Sequence, residues 1–298
     1  MDDRQLWELI YATWSAIVER YDPVFDRYQE QKWQEPWSLG LLFAALNFEP
    51  DAISAARLAV RGPYTSDDAY RTRLAWLAER ECLAEAVPGE YHLTARGRSE
   101  ADEVLQAAYQ AMTQADPLPG KESRRLSELL DRLVQACMQA PPPPDTWSID
   151  LSYRLMPSRD LPLPYIEQAI SCLNCYRDDA HLAAWRPSGI SPTAMEALTL
   201  LWRAQASSLS ALFERLANRG HAIAEYARAL QELRQRGYLD GPDDAPQVTA
   251  AGREFRDQVE QDTDRYFYAP WSCLDEAARR ELARLLGRLQ GGLRRSES

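Results

Sequence analysis

Two clusters in this 298-residue chain have side chains of the types and spacing that chemistry needs. The first is Cys172-x-x-Cys175 with His181 six positions on, which offers zinc-ligand types. Structural zinc takes four such ligands, and no second cysteine pair lies nearby, so the thiols are expected to face a core. A thioredoxin-like role would need a βαβ context, which the surrounding sequence lacks. The second cluster is Arg177-Asp178-Asp179-Ala180-His181. Asp178 and His181 stand three apart, so on a helix the carboxylate can reach the imidazole, fix its tautomer and raise its basicity. The plainer reading, a buried polar contact joining this helix to its neighbour, is the expectation. No G-x-S-x-G, P-loop, H-E-x-x-H or dinucleotide glycine pattern occurs. With 13 glycines and three histidines the chain is poorly equipped for phosphate cradles or multi-histidine sites. His92 and His221 have no evident catalytic partner. No catalytic residue, metal or cofactor is assigned, and an enzymatic role is the lesser expectation.

Both clusters fall on a connecting segment between two copies of a repeat. The stretch from Tyr70 to Arg98 returns, 156 positions on, as Tyr226 to Arg253. Tyr70 pairs with Tyr226, Leu74 with Leu230, Leu77 with Leu233, Arg80 with Arg236 and Leu83 with Leu239. One residue is then lost, and Thr94, Gly97 and Arg98 pair with Thr249, Gly252 and Arg253. The 156 register resumes where Leu126, Leu129, Leu130 and Leu133 pair with Leu282, Leu285, Leu286 and Leu289. A register held over about sixty residues reads as an internal duplication.

Each copy reads as a helix ending in Arg-x-x-Leu, a polar turn, a short β-compatible run into Thr-Ala-x-Gly-Arg, and a long helix. The turns are Pro88-Gly89 and Gly241-Pro242-Asp243-Asp244. Two shorter helical runs precede each copy, at 36–46 and 51–61, then at 191–202 and 208–219. Ser66 is placed to cap the third helix of the first copy, and Pro192 suits a first helical turn after Ser191. The expected fold is mainly α with short β-hairpins: two winged-helix units in a pseudo-twofold tandem arrangement plus additional helices. Residues 1–35 form an aromatic N-terminal helix or helix pair, with Ile10, Trp14 and Ile17 on one face and Pro23 starting a second helix or kinking the first. Residues 36–140 form the first winged-helix unit with trailing helices. Residues 141–190 hold a stiff linker, Pro141 to Pro144, and a connecting helix from Leu161 to about Trp185. Residues 191–298 form the second unit, with a basic end, Arg294 to Ser298, expected to fray.

The residues Leu230, Leu233, Gly237, Tyr238, Leu239, Thr249, Gly252 and Arg253 resemble the pattern of MarR-type winged helix-turn-helix proteins. The first copy departs from it, with Glu81 where Gly237 stands in the second. The segment YRDDAHLAAW followed by SGISPTAMEALTLLW, with LNFEPDAISAARLA earlier, is similar to duplicated helix-turn-helix proteins of actinobacteria, a group of unresolved function. The resemblance implies a DNA-binding transcriptional regulator acting as an intramolecular winged-helix dimer. Double-stranded DNA is then the partner, and a small molecule the effector.

In such a fold the third helix enters the major groove. In the first copy Tyr70, Leu74 and Leu77 point inward, which leaves Asp68, Thr72, Ala75 and Glu79 outside, with Arg71 and Arg73 on the flanks. In the second copy the outer face carries Ala224, Arg228, Gln231 and Gln235, types that read guanine and adenine edges. His221 stands where the helix N-terminus can meet a phosphate. The wings carry Asp240, Asp243 and Asp244 in one copy and Glu85 and Glu90 in the other, which repel phosphate. The alternative is a small-molecule- or partner-binding protein that keeps the fold without DNA and uses an aromatic pocket at the repeat junction. Trp7, Trp14, Tyr266, Tyr268 and Trp271 are the residues expected to line it.

Composition bounds these readings. A formal net charge of −11 works against nonspecific nucleic-acid or anionic-membrane binding. No apolar run approaches the roughly 20 residues of a membrane span, and the start is unlike a signal peptide. Five cysteines, an odd number, fit a reducing cytoplasm. The expected assembly is a monomer with an internal pseudo-dimer, or a homodimer.

Overall fold

The computed structural model describes residues 2–33 and 35–295. It is mainly α, with two small antiparallel hairpins. The first helix, α1 (Asp3–Tyr28), starts at a capping box in which Asp2 Oδ1 accepts from Gln5 N and Gln5 Oε1 accepts from Asp2 N. Pro23 lies inside this one helix rather than starting a second. The N-terminal half continues with α2 (Ser38–Phe48), α3 (Ala55–Arg61), α4 (Asp67–Glu79), the hairpin β1 (Leu83–Val87) and β2 (Glu90–Leu93), α5 (Ala95–Ala115) and α6 (Gly120–Met138). The connection holds α7 (Trp147–Tyr153), which the sequence did not announce, and α8 (Pro162–Trp185). The C-terminal half runs α9 (Pro192–Trp202), α10 (Leu209–Arg215), α11 (Ile223–Gln235), β3 (Leu239–Asp240), β4 (Gln247–Val248), α12 (Ala250–Tyr268) and α13 (Glu276–Arg295). The basic end expected to fray belongs to α13 as far as Arg295; positions 296–298 lie outside the described residues.

The sequence order of three helices, a hairpin and two helices therefore occurs twice. Local chemistry recurs with it. Thr94 and Thr249 each cap the helix after the hairpin, accepting from Gly97 N and Gly252 N at 3.0 Å. Their hydroxyls donate back to Glu81 O at 2.6 Å and Gly237 O at 2.7 Å. Glu81 has φ +60° and Gly237 φ +75°. The first copy thus places a glutamate in the left-handed turn that glycine adopts without steric penalty.

Three apolar clusters hold these elements. One lies inside each half: Leu74 and Leu77 of α4 with Leu42 and Phe48, and Leu230 and Leu233 of α11 with Leu198 and Leu212. The third and largest joins α1, α6, α8 and α13. α8 is its axis; the polar side chains of Arg177, Asp178 and His181 gather toward its C-terminal end, and 15 of its 24 residues are buried. Cys172 and Cys175 are among them, both free and both buried. Ile10 and Ile17 of α1 are fully buried and Trp14 partly so. Buried Glu167 of α8 fastens α1 through one oxygen, which accepts from Trp14 Nε1 at 3.0 Å and Tyr21 Oη at 2.9 Å.

The halves also meet at the starts of α4 and α11. Ser66 N donates to Arg219 O at 2.8 Å, and Ser66 Oγ donates to Gly220 O at 3.0 Å. Gly220 has φ +73°, and a Cβ there would stand 2.5 Å from Ala69 Cβ. Close approach and the left-handed backbone together demand glycine at this point.

Candidate nucleic-acid face and junction cavity

α11 presents the face expected of it. Arg228, Gln231 and Gln235 are exposed, the Arg228 side chain 70% so, with Glu225 no nearer than 3.9 Å. The helix ends cleanly because Gly237 takes the left-handed turn beyond it. Part of the neighbouring wing charge is neutralised, since Arg234 pairs with Asp243 at 2.7 Å.

The other residues expected at DNA are engaged elsewhere. His221 lies at the junction, its side chain 10% exposed, and its Nε2–H donates to Tyr64 O at 2.9 Å. That ring is held by the opposite half rather than offered to a phosphate. Arg73 donates to Asn218 O and stacks 5.4 Å over Trp37. Arg71 is exposed but paired with Asp67 one turn earlier. The start of α4, already covered by residues 219 and 220, is not an open helix N-terminus.

The aromatic set expected to wall a pocket is core instead. Trp7 and Trp271 are buried, and Trp14, Tyr266 and Tyr268 pack against the same central cluster. Trp7 meets Phe267 edge-on at 4.8 Å, and Tyr268 meets Trp271 at 5.2 Å, the tilted geometry that ring quadrupoles favour. Their surfaces are spent on each other.

A cavity does lie at the junction, on the other side of α8. Its first chamber, about 370 Å³, is enclosed by α2, α3, α7 and α8. A second, about 290 Å³, lies between α8, α9 and α12. Tyr64, Asp178, His181 and Arg219 belong to the walls of both. Asp178 and His181 therefore do face a common space, but they do not pair. Asp178 takes both Nε (3.1 Å) and Nη2 (2.8 Å) of Arg61 on one oxygen. His181 Nδ1 lies 3.3 Å from Thr263 Oγ1, whose own proton goes to Val259 O at 2.7 Å. The threonine oxygen must then accept, so Nδ1 carries the proton and Nε2 is left as acceptor. Burial, and then the charge of Arg256, push the imidazole down to about 4, which keeps it neutral at pH 7. Adjacent Asp179 serves the fold. It accepts from Ser148 N and Ile149 N, fixing the start of α7, and burial pushes its carboxyl up to about 6.

Several wall atoms lack partners. In the first chamber Asn47 Oδ1 and Trp147 Nε1 are shielded from solvent and unbonded among the described residues. In the second, Glu196 Oε2 and Arg256 Nη1 are in the same condition. Arg256 is 1% exposed. Reading the sequence passed over these residues. One signal was available: Arg256 occupies a buried stripe of α12 with Val259, Thr263 and Phe267, where a lone arginine on an apolar face marks a polar interior.

Among the described residues, no helix is long and apolar enough to cross a membrane, and no group of three or more histidine, cysteine or acidic side chains gathers as metal ligands do. Residues 151–297 match the model of a family described as a helix-turn-helix family. No curated protein and no solved structure matches the chain. The matched segment contains α10 and α11, the helix pair joined by the turn at 216–222.

Proposed function

We propose, from the helix-turn-helix character of residues 151–297, that this protein is a DNA-binding regulator that touches duplex DNA through α11 alone. The observation that carries this reading is the outward face of α11, where Arg228, Gln231 and Gln235 are exposed and aligned. Net charge does not forbid it, because the local footprint governs contact.

The repeat is, on this reading, a duplication that builds an internal pseudo-dimer of MarR-like units. The twice-used element order supports it, as do the matching caps at Thr94 and Thr249. So does the pair Arg125–Glu281, at 2.8 Å and 156 positions apart, the repeat offset itself. Across a twofold axis a residue on the axis meets its own counterpart. The two third helices are nevertheless not equivalent readers. Their starts abut at Ser66 and Gly220, and each spans 13 residues, roughly 20 Å at about 1.5 Å per residue. Two such helices, end to end, have centres closer than the ~34 Å between successive major grooves on one face of the duplex. The DNA site is therefore asymmetric.

Titrating the full chain with random and genomic duplexes over a salt series tests this. The expected result is binding that weakens as salt rises. Arg228→Ala should lose about 1–3 kcal/mol of sequence discrimination, and Arg71→Ala almost none. Absence of binding at low salt, where the electrostatic attraction is greatest, overturns the reading.

A further inference from the structure

The two chambers share a wall of Tyr64, Asp178, His181 and Arg219. Two unbonded polar atoms in the first chamber are of complementary kinds: an acceptor on Asn47 and a donor on Trp147. Leaving such atoms buried and unpaired is unfavourable, so a bound group with both a donor and an acceptor on its edge satisfies them together. The rest of that chamber is suited to a flat ring, with Phe48, Trp147 and Tyr64 among its walls.

The second chamber has a different character. Arg177, Arg203, Arg219 and Arg256 line it, and Arg57 and Arg61 line the first. Three carboxylates share the walls, Asp178, Glu196 and Glu260. Two more, Asp51 and Asp264, pair with Arg57 and Arg177. With Asp179, which faces Arg61, six arginines stand against six carboxylates, and of the six arginines only Arg203 makes no ion pair among the described residues. Arg203 is exposed at the mouth, and Arg256 keeps one unbonded nitrogen in the interior. A chamber with low-dielectric walls concentrates the field of these two cations on an anion, opposed by the unbonded Glu196 Oε2 of the same chamber.

We infer that the junction cavity binds a small organic anion: a planar heterocycle whose hydrogen-bonding edge meets Asn47 and Trp147, joined to an acidic group that reaches Arg203 and Arg256. The shared wall of Tyr64, His181 and Arg219 spans the waist between ring and acid. Neutral His181 offers an acceptor there without adding a second repelling or attracting charge. The acid is a phosphate monoester or a carboxylate.

Calorimetric titration of the full chain, with no DNA present, separates this inference from the reading of α11. The probes are adenosine and guanosine monophosphate, the two parent nucleosides, inorganic phosphate and indole-3-carboxylate. A monophosphate that binds at least tenfold more tightly than both its nucleoside and inorganic phosphate supports the inference and assigns a phosphate. Binding of indole-3-carboxylate without the nucleotides supports it and assigns a carboxylate. Inorganic phosphate binding as tightly as any organic probe, or no binding by any of them, overturns it. Trp147→Phe removes the unbonded N–H together with part of the ring system that packs on Phe48 and Arg57, so a small fall in melting temperature is expected and is measured alongside. Affinity for the probe that binds should drop about five- to tenfold, the worth of one neutral hydrogen bond. Arg203→Gln, at an exposed position, should lower it about tenfold or more. Unchanged affinity in both variants refutes the placement.

Discussion

Replacing Gly220 by alanine tests how firmly the two halves are joined. The substitution brings two separable penalties. At φ +73° an alanine side chain crowds the neighbouring carbonyl, a cost of about 1–2 kcal/mol. Its Cβ would also stand 2.5 Å from Ala69 Cβ on α4, well inside an ordinary carbon contact of about 3.5–4.0 Å. Relieving that overlap means separating α4 from residues 218–221, and overpacking of this kind costs about 1–3 kcal/mol more. Separation would also strain the hydrogen bonds from Ser66 N, Ser66 Oγ and His221 Nε2, each worth about 0.5–1.5 kcal/mol. The expected loss is therefore about 2–5 kcal/mol. Gly189→Ala is the control, because Gly189 has φ +65° and nothing within 4 Å of the added carbon; it should lose only the backbone part. Urea unfolding of both variants gives the difference, which is the contribution of the contact across the halves. Adding Ala69→Gly to Gly220→Ala should recover part of that difference in a double-mutant cycle. Equal losses at positions 220 and 189 would show that α4 and the 218–221 turn are not pressed together.

Trp14→Phe should lower stability by about 0.5–1.5 kcal/mol, by losing the bond to Glu167, and leave probe binding in the cavity unchanged; calorimetry reads both. Glu81→Gly should raise the unfolding midpoint slightly, since its left-handed backbone strain exceeds what an exposed ion pair to Arg96 returns. Two buried groups should oppose each other in the pH profile. Asp179 is pushed up to about 6, so the folded chain holds its proton more tightly than the unfolded chain does; that stability is present below about pH 4 and is lost as pH rises through 6. His181 is pushed down to about 4, so its contribution is present above about pH 6.5 and is lost as pH falls through 4. The unfolding free energy between pH 4 and 6.5, measured by urea denaturation, should be nearly flat for the parent, rise with pH in Asp179→Asn and fall with pH in His181→Gln.

Helical phase and capping were legible because they depend on neighbours in sequence. Ser66 caps the helix it precedes and the inward leucines of α4 and α11 are the buried ones, whereas Thr94 and Thr249, expected in the return strands of the wings, stand just past them as helix caps. What covers an amphipathic face depends on chain far away, and there the reading ran out. Trp7 and Trp271 suit a core or a pocket wall by residue type alone, and the packing of α1 on the end of α12 makes them core. His221 and Arg73 read as phosphate partners because nothing local shows that Tyr64 and Asn218 lie across from them. Asp178 and His181 were correctly placed near each other by helix spacing, yet Arg61 and Thr263, distant in sequence, supply better partners. The cavity residues Asn47, Trp147 and Ser148 come from two helices separated by a hundred residues, one of them the short α7, whose start is organised by Asp179 from outside.

The bridge between Arg125 and Glu281 carries a consequence for how such a chain can arise and persist. If the halves descend from one ancestral subunit, these two positions were once the same residue facing its own copy. Symmetry then allowed only arginine against arginine or glutamate against glutamate, and like charges at that spacing repel. Fusion into a single polypeptide lifts that restriction, because each side of the axis can mutate alone. The opposite charges now seen there favour the mixed pairing over either half with itself. If the gene were split, the two fragments should seek each other and avoid their own kind, a partner preference encoded at one point on the axis.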